Sequence, residues 1–463
     1  MESVNIIRFL EDKTILAIGG TGFLGKIFTE KILRIQPNIK KLYLLVRARD
    51  AHSATQRILS EVVEKELFRI LKDKWGGMGN LHAFISEKVI AVPGEVSYDN
   101  LGVKDFNLRE EMWRNIDIIL NFSATTNFEE RYDVALGTNT TGAFHVLSFA
   151  KKCVNIKMFL HVSTAYVCGE RSGIIAEDSF HIDESLNGTS KLDITAEKKL
   201  VDETLNHLRA KNATEETITS TMKDLGIKRA RLYGWPNTYV FTKAMGEMLL
   251  CYHKENLPLV IIRPTMITST YREPFPGKVK CLPANPDTII DLIPADMVVN
   301  AMIKAMVAKA CQHFSDPIIY HVSSSMRNAV KLSNIRDIGY RYFTKNPLNN
   351  KNGKAIKVDK FIMLDTWTKF RRYIAIRYLL PLKNRTTSSY GSKTSPNLSD
   401  TLLLLLHEPT SEGVRSSSGD ADLARSARSA SLEEDLTSFG VGATDMLLQE
   451  QINGSFHFLF FIF

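Results

Sequence analysis

The sequence predicts an α/β fold, a doubly wound parallel sheet with helices on both faces. Two observations support this prediction: short, wholly apolar segments alternate with amphipathic helical segments, and a glycine-rich turn directly follows the first apolar segment. The composition, with 44% hydrophobic and 24% charged residues in a chain of 463, is ordinary for a globular protein. It excludes a fully disordered chain and a collagen-like chain.

Each predicted strand is a short run that is apolar on both faces, as expected for strands buried inside a parallel sheet. Helical patterns lie between several of these runs, for example from the glycine-rich turn through Leu33 and over residues 141–152. The predicted strands span residues 14–18, 41–46, 89–92, 116–120, 158–162, 259–262 and, later in the chain, 320–324.

Changes in composition along the chain predict three parts. Residues 10–313 form the α/β domain, in which the polar, proline-free residues 195–225 are interpreted as a surface helical insertion. Residues 314–383 form a partly helical region that is basic and aromatic. Residues 384–463 are rich in small and polar residues without sustained periodicity, so we expect a low-complexity, disordered tail.

Two helices are predicted in the C-terminal region, over residues 335–343 and 361–380. The second places Arg371, Arg372 and Arg377 beside several aromatic side chains. A basic, aromatic helix of this kind can lie on a membrane surface, or it can pack its apolar face on a core. The sequence leaves both alternatives open.

Charge and cysteine usage exclude several classes of site. The chain has 59 Lys and Arg against 51 Asp and Glu, a net charge of +8 that is spread along the chain. Nucleic-acid binding needs a clustered basic patch, so we expect none. The five cysteines lie far apart without metal-ligand spacing, which indicates a reducing compartment and no metal site. We find neither a targeting segment nor an apolar run of the roughly 18 residues that span a bilayer.

The glycine-rich turn lies between a predicted strand and a predicted helix. There, glycines allow backbone N–H groups to approach a pyrophosphate at the positive end of the helix. Two registers fit, G-x-G-x-x-G through Gly20 and G-x-x-G-x-x-G through Gly19, and both end at Gly22 and Gly25. The predicted dinucleotide-binding residues are Gly19, Gly20, Thr21, Gly22, Phe23, Leu24 and Gly25.

The end of the second strand indicates which dinucleotide binds. Arg47 and Arg49 follow this strand, where a basic residue accommodates the 2′-phosphate of NADP(H) and an acidic residue binds the 2′-hydroxyl of NAD. Asp50 is an alternative acid at this place. Glu95 closes the third strand and is a candidate for the adenine side.

Tyr239 and Lys243 are one helical turn apart and share a helix face. A neighbouring cation favours the phenolate, so we expect this phenol to exchange a proton with a carbonyl or alkoxide near neutral pH. The pair follows the nucleotide motif and lies between two predicted strands, which favours a catalytic role over a chance spacing.

Hydroxyl and amide residues follow two more strand ends, where open α/β sheets bind their ligands. Ser163 and Thr164 follow the strand at 158–162, and either hydroxyl can stabilise a substrate carbonyl. After the strand at 116–120 we expect Asn121, Ser123 and Ala124 to form a wall on the nicotinamide side. Asn139 is expected at the start of the next helix, as a cap or as part of a proton relay.

Longer strings around these residues resemble one family. Taken together, the glycine turn, Ser163-Thr164 and the Tyr239/Lys243 pair resemble extended short-chain dehydrogenase/reductases with a Rossmann fold. Over about residues 10–383 the chain is similar to alcohol-forming fatty acyl-CoA reductases, especially those of plants. The strings that carry this similarity are NFSATTNF from Asn121, HVSTAYVCGE from His161, GWPNTYVFTKA from Gly234, IRPT from Ile262 and PADMVVN from Pro294. Between Gly277 and Asn285 the chain is shorter than the family pattern.

The resemblance implies that NADPH reduces a long-chain acyl-CoA thioester. A first hydride gives a hemithioacetal that loses CoA to leave an aldehyde, and a second hydride gives the primary alcohol. In this scheme Tyr239 is the acid, Lys243 tunes it and holds the ribose, and Thr164 or Ser163 orients the carbonyl. Residues 10–313 would be the NADP(H)-binding reductase domain, with insertions on the substrate side.

The resemblance also implies a place in lipid metabolism, with peripheral attachment to the cytosolic face of the endoplasmic reticulum. A plastid is the alternative, but the first strand begins at Thr14 and leaves little room for a transit peptide. Homo-oligomers or hetero-oligomers with related reductases are left open. Two other functions stay open as well: an inactive, truncated cofactor-binding paralogue, and an extended reductase acting on a nucleotide sugar or a small aldehyde.

Overall fold

The structure, a computed structural model, describes residues 6–270, 281–283, 285–310, 316–347, 353–355, 360 and 362–376. The chain divides into two compact units, residues 1–275 with 291–326 and residues 276–290 with 327–463. The predicted three-part division stays a prediction. The predicted tail and most of the shortened segment after Gly277 lie outside the described residues.

Seven parallel strands form the main sheet, in the spatial order β11-β6-β5-β4-β1-β2-β3. The strands in the described part of the chain are β1 (Thr14–Ile18), β2 (Lys41–Val46), β3 (Val89–Pro93), β4 (Ile118–Asn121), β5 (Met158–Val162), β6 (Leu259–Pro264), β7 (Met266–Thr268), β8 (Cys281–Pro283), β9 (Ile289–Ile290), β10 (Leu292–Pro294), β11 (Ile318–Val322), β12 (Val330–Lys331) and β13 (Ile362–Leu364). This confirms the predicted doubly wound parallel sheet.

The strand order reverses between β1 and β4, which makes their carboxyl ends the switch point where such sheets bind ligands. Ile18 pairs with Asn121, Asn121 with His161, and Val162 with Ile262. The carboxyl ends of β1, β4, β5 and β6 therefore meet along one edge of the sheet.

Helices follow most of the strands. They are α1 (Ile6–Leu10), α2 (Phe23–Ile35), α3 (Ala51–Ile58), α4 (Arg69–Lys74), α5 (Met78–Lys88), α6 (Phe106–Asn115), α7 (Tyr132–Ala135), α8 (Gly142–Ala150), α9 (Ile194–Ala210), α10 (Glu215–Leu232), α11 (Thr238–His253), α12 (Ala295–Ala310), α13 (Leu332–Lys345) and α14 (Trp367–Ile374).

Both faces of the sheet are buried in apolar cores. Ile15 and Ala17 of β1 point into a cluster with residues of α2 and α12, whereas Leu16 and Ile18 point into a cluster with α8. All five residues of β1 are buried. Burial of both faces explains why this strand is a continuous apolar run without alternation.

The predicted surface insertion over residues 195–225 is two helices, α9 and α10, and it is not confined to the surface. Asn212 has a φ of 51° and ends the first helix, and Thr214 caps the second by accepting the N–H of Thr217. Val201 and Met222 are buried in a third core that also contains residues of α11. The insertion thus packs directly on the helix that carries Tyr239.

Two other predicted helices have different boundaries in the structure. The helix predicted over residues 141–152 begins at Tyr132, because α7 continues through a π-helical segment, Leu136–Thr141, into α8. The helix predicted over residues 361–380 is wrong at its start, where β13 pairs in parallel with β8. Within α14, which follows β13, the side chain of Phe370 is buried.

Candidate active site

Steric demands at the glycine-rich turn separate its two registers. Gly19 has a φ of +83°, and a Cβ there would lie 3.0 Å from the backbone N of Ser123. A Cβ on Gly22 would lie 3.1 Å from the Gly19 carbonyl oxygen, and one on Gly25 only 2.3 Å from it. Gly20 faces only the side chain of Leu44. Gly19 and Gly25 are therefore the positions at which the backbone itself requires glycine, and Gly22 fits tightly against the Gly19 carbonyl.

The turn opens directly into α2, whose N-cap is Gly22. The first N–H groups of a helix have no intrahelical partner and attract anions together with the helix dipole. Phe23, Leu24 and Gly25 supply these N–H groups in α2. A cradle that admits no Cβ, beside such a helix end, fits the pyrophosphate of a dinucleotide.

The residues after β2 have distinct environments. Arg47 and Arg49 are exposed, and the Arg49 guanidinium lies 3.1 Å from the Asp50 carboxylate. Asp50 is the N-cap of α3, where its Oδ1 accepts the N–H of Ser53 at 2.7 Å. The carboxylate thus has a structural role as a helix cap, whereas both guanidinium groups are accessible.

Tyr239 lies in the first turn of α11, which begins because Asn237 caps it by accepting the N–H of Val240. The hydroxyl of Thr164 lies beside the Tyr239 phenol. The ring of Phe128 stacks on the Tyr239 ring, with 5.8 Å between centroids. Burial raises the pKa of Tyr239 to about 12, and the nearby Thr164 hydroxyl opposes this shift.

The expectation that a neighbouring cation favours the Tyr239 phenolate is wrong for this geometry. Burial, which penalises the charged form, is the largest influence on the pKa of this phenol. The neutral phenol therefore predominates at neutral pH. A neutral phenol is a proton donor, so the correction concerns its charge and not its candidate role as an acid.

Lys243 is 1% exposed, and its ammonium group points back to β5. Nζ lies 2.7 Å from the carbonyl oxygen of Val162, to which it donates, and 3.2 Å from Nε2 of His161. Burial lowers the pKa of Lys243 to about 8, against an opposing effect of the Glu247 charge. A lysine held in this way has lost much of its preference for the charged form.

Ser163 and Thr164 follow β5, but the structure gives them different surroundings. The Thr164 hydroxyl donates to the carbonyl oxygen of Pro264 at 3.5 Å and accepts the N–H of Tyr166 at 3.4 Å, and it lies beside the Tyr239 phenol. Ser163 is held through its backbone N–H, which donates to Ile262 at 2.7 Å. Among the residues that the structure describes, its buried hydroxyl has no hydrogen-bond partner.

The segment after β4 forms the wall beside the glycine turn. Asn121 is 1% exposed, and its Oδ1 accepts the N–H of Ser123 at 3.0 Å. Ser123 lies against Gly19, and Ala124 follows it in the same loop. Glu95, after β3, is half-buried, and its backbone N–H donates to Leu101. Its contact with adenine stays a prediction.

Asn139 does not lie at the start of a helix, as the sequence suggests. It is buried inside the continuous helix that begins at Tyr132, so it is not a cap. Its Oδ1 accepts the N–H of Thr125 at 3.0 Å, and its Nδ2 donates to Thr125 O and to Thr242 Oγ1. Asn139 therefore connects the loop after β4 to the helix of Tyr239.

Comparison with known proteins agrees with this geometry. A NAD-binding family model described as Male sterility protein matches residues 18–281. An alcohol-forming fatty acyl-CoA reductase of Simmondsia chinensis is 52% identical over 400 residues, covering 82% of this chain and 81% of that one. Fatty acyl-CoA reductase 1 of Arabidopsis thaliana is 51% identical over 404 residues, covering 83% and 81%. The chain belongs to the fatty acyl-CoA reductase family.

The family confirms the resemblance found in the sequence strings, and it makes this reductase an oxidoreductase with a nicotinamide dinucleotide as cofactor. Solved structures agree with the fold. The terminal R domain from the myxalamid PKS-NRPS biosynthetic pathway has a TM-score of 0.50 and 19% identity, covering 87% of this chain and 80% of that one. The R domain of a nonribosomal peptide synthetase from Mycobacterium tuberculosis also has a TM-score of 0.50, with 17% identity and 93% and 89% coverage.

Several residues around the reductase site were given no role from the sequence. His161 is a polar residue in the otherwise apolar strand β5. This break in the apolar pattern is the feature by which the sequence could have identified it. Phe128 covers the Tyr239 ring and had no distinguishing pattern. Behind Lys243, Glu247 and Arg263 form a buried ion pair. The spacing of Lys243 and Glu247, four residues apart on one helix, was visible in the sequence.

Proposed function

We propose that this protein reduces long-chain fatty acyl-CoA to primary fatty alcohol, with NADPH as the reductant and free CoA as a product. The observation that carries the proposal is the juxtaposition of the Tyr239 phenol and the Thr164 hydroxyl at the carboxyl end of β5. It joins a proton donor and a carbonyl-orienting hydroxyl on the sheet edge that also holds the glycine turn. Membership in the fatty acyl-CoA reductase family supports the substrate class.

NADPH supplies the hydride for each reduction when it is bound. Gly19, Gly22 and Gly25 would hold its pyrophosphate, and Lys243 would hold its ribose. We propose NADPH instead of NADH because Arg47 and Arg49 are both accessible after β2. Asp50, the alternative acid, already accepts the N–H of Ser53 as a helix cap.

In the first reduction, the thioester carbonyl accepts a hydride at carbon while the Tyr239 phenol donates its proton to oxygen. Thr164 orients the carbonyl and stabilises the developing negative charge on its oxygen. The resulting hemithioacetal then breaks its C–S bond, and its hydroxyl proton passes to the leaving sulfur. The products of this step are an aldehyde and the free thiol of CoA.

The second reduction uses the same groups on the aldehyde. A second hydride reaches carbon, and Tyr239, after regaining a proton, protonates the oxygen to give the alcohol. The complete reaction consumes two NADPH and two protons for each acyl-CoA. The phenol has to be reprotonated between the two steps. A nearby side chain that exchanges protons would return the proton to it.

Purified protein incubated with NADPH and a series of long-chain acyl-CoA thioesters tests this proposal. We expect NADPH consumption, release of free thiol, and fatty alcohol as the final product. Folded protein that binds NADPH but turns over no thioester in the series would refute it. Reduction of a nucleotide sugar or small aldehyde without thiol release would favour the other extended reductases. NADPH binding without any turnover, with co-purification of a longer reductase, would favour the inactive paralogue.

Location and assembly are further parts of the proposal. A product that partitions into lipid favours peripheral attachment to the cytosolic face of the endoplasmic reticulum, either as a homo-oligomer or with related reductases. Within the described ranges, no helix has both the length and the apolarity of a membrane span. Cell fractionation followed by a salt wash of the membranes tests the attachment. Protein that sediments with membranes and is released by salt supports it, whereas protein found in the soluble supernatant before the wash refutes it.

A further inference from the structure

We propose that His161 is a positioning residue: oriented by Asn121, its ring fixes Nζ of Lys243 and favours the neutral amine form of that side chain. This role is independent of the proton donation by Tyr239 and of the carbonyl contact by Thr164. Only the kinetic part of its test rests on the proposed function.

The three side chains form a buried row across two strands and a helix. His161 is 0% exposed, and Asn121 and Lys243 are each 1% exposed. Nδ2 of Asn121 lies 3.2 Å from Nδ1 of His161, and Nε2 of the same ring lies 3.2 Å from Nζ of Lys243. Both ring nitrogens therefore have a partner within the protein.

The direction of each hydrogen bond follows from one backbone group. The N–H of Ser123 can only donate, so the Asn121 atom 3.0 Å from it must be the carbonyl oxygen. The other end of that amide is then the NH₂ group, which donates to Nδ1 of His161. A neutral imidazole that accepts at Nδ1 carries its hydrogen on Nε2.

The Nε2–H group then faces Lys243. An ammonium group has three donors and no acceptor, so it cannot receive this hydrogen bond. A neutral amine satisfies every contact, because it accepts from His161 and donates to the carbonyl oxygen of Val162 at 2.7 Å. The ammonium form would instead place two hydrogen-bond donors against each other in a buried site, where no solvent screens their repulsion.

Charges on the surrounding elements act on the same equilibrium. On α11, the Glu247 carboxylate favours the ammonium form, but Arg263 of β6 neutralises it as an ion pair at 2.6 Å. The other titratable groups on this face of α11 are Tyr239 and Cys251, whose pKa values are raised by burial, so both are neutral. Burial lowers the pKa of Lys243 to about 8, and burial together with the Lys243 charge lowers the pKa of His161 well below its usual value.

In the reaction, this arrangement affects how Tyr239 regains its proton between the two reductions. A lysine whose pKa lies near 8 can take up and release a proton during turnover, whereas an ordinary lysine would hold it. His161 keeps that nitrogen in place and supplies the bond that the neutral form needs. It does so from behind Lys243, without contact with substrate.

The kinetic test compares the pH dependence of kcat/KM for wild-type protein and the His161→Gln variant, with palmitoyl-CoA and NADPH. The Gln amide oxygen can accept a hydrogen bond from an ammonium group. The apparent pKa on the alkaline side of the kcat/KM profile should therefore rise by at least one unit. Asn121→Asp should move it in the same direction, because a carboxylate accepts from Nδ1–H and turns the ring into an acceptor at Nε2. A loss of activity by one constant factor at all pH values, with the ionisation unmoved, would show a purely structural role and refute the proposal.

His321→Gln is the matched control. The His321 ring nitrogen Nε2 lies 3.3 Å from the Arg263 guanidinium, so this histidine also touches a buried cation. Arginine does not titrate in this range, and the pH profile of this variant should equal that of the wild type. A shift equal to that of His161→Gln would attribute the effect to general loosening of the sheet edge and would count against the proposal.

A spectroscopic test needs no turnover and thus separates this inference from the proposed function. In protein with ¹⁵N-labelled histidine, the ring shifts of His161 should report the neutral Nε2–H tautomer at pH 9.5, above the Lys243 pKa of about 8. The His161→Gln variant assigns the signal by its loss, and Asn121→Asp assigns it by a change to the Nδ1–H tautomer if the first variant fails to fold. A charged ring or an Nδ1–H tautomer in the wild type would overturn the proposal.

Discussion

Arg263 and Glu247 form an ion pair that is almost completely shielded from solvent. Nη2 of Arg263 lies 2.6 Å from Oε2 of Glu247, and the side chains are 1% and 0% exposed. The guanidinium also lies over the Phe180 ring, 5.2 Å from its centroid, and 3.3 Å from His321. Because Glu247 lies one turn beyond Lys243 on α11, the pair anchors the catalytic helix to β6.

Replacing one partner of this ion pair should lower the free energy of unfolding more than replacing both partners together. We expect Glu247→Leu and Arg263→Leu each to lower the free energy of unfolding by about 3–5 kcal/mol, since each leaves an uncompensated buried charge. The double variant should lose clearly less than the sum of the two. Urea denaturation of the four proteins gives the coupling energy. Additive losses would show that the two charges do not depend on each other.

Tyr239→Phe removes only the phenolic oxygen. We expect kcat to fall by about 10²–10⁴-fold, the usual contribution of a positioned acid, while the Kd for NADPH stays within twofold. Because burial raises the pKa of Tyr239 to about 12, the wild-type phenol stays protonated, and its ionisation should not limit the rate below about pH 10. Stopped-flow turnover and fluorescence titration measure the two effects. Full activity in the Phe variant would remove Tyr239 as the acid.

The fold was largely predictable because its signals are local. Strands β1, β2 and β5 are mostly apolar runs, and their predicted boundaries match the structure. The helix containing Asn139 was placed too late because a π-helical segment disturbs the ordinary period, and the polar Asn139 is buried within it. Hydrophobic periodicity does not predict a helix when a polar residue inside it is buried and hydrogen-bonded to a distant loop.

The sequence motifs predicted which side chains lie together but not their electrostatics. Tyr239 and Thr164 meet as the motifs suggest, although they lie on different elements. The direction of the Tyr239 pKa shift was missed because it depends on burial, which a four-residue spacing does not contain. His161 was missed as a partner of Lys243 because the two residues are 82 positions apart.

Thr164 and Ser163 should differ sharply when their hydroxyls are removed. Thr164→Val keeps the shape of the side chain but deletes the hydroxyl beside the Tyr239 phenol, so we expect kcat to fall by about 10²–10³-fold. Ser163→Ala deletes a buried hydroxyl without a partner among the described residues, so activity should change less than about threefold and stability should not fall. Steady-state kinetics and thermal melts test both. The reverse order of effects would assign the carbonyl contact to Ser163.

Arg47 and Arg49 should determine the choice between the two dinucleotides. In the double Ala variant we expect the KM for NADPH to rise about tenfold or more while that for NADH changes little, since only NADPH carries the 2′-phosphate. Arg114→Ala, an exposed arginine paired with Glu110, is the control and should alter neither value. Equal changes in both KM values would indicate a general effect on the fold.

Asp50→Ala tests the alternative role of the acid beside these arginines. As the N-cap of α3, Asp50 should contribute about 1 kcal/mol to stability, and its loss should leave the KM for NADH unchanged. Denaturation and kinetics on the same preparation measure both. A large rise in the KM for NADH, with unaltered stability, would instead make Asp50 a ribose ligand.

Gly25→Ala should damage cofactor binding through the backbone alone. The new Cβ would lie 2.3 Å from the Gly19 carbonyl oxygen and 2.7 Å from Cα of Gly20, so the turn has to move away from the N-terminus of α2. We expect the Kd for NADPH to rise at least tenfold, since the N–H groups no longer converge on one pyrophosphate position. Gly79→Ala is the matched control, because a Cβ on this residue of α5 meets nothing within 4 Å. The control should bind NADPH normally and gain up to about 1 kcal/mol in stability from the better helix former. Unchanged NADPH affinity in Gly25→Ala would show that the dinucleotide does not depend on this turn.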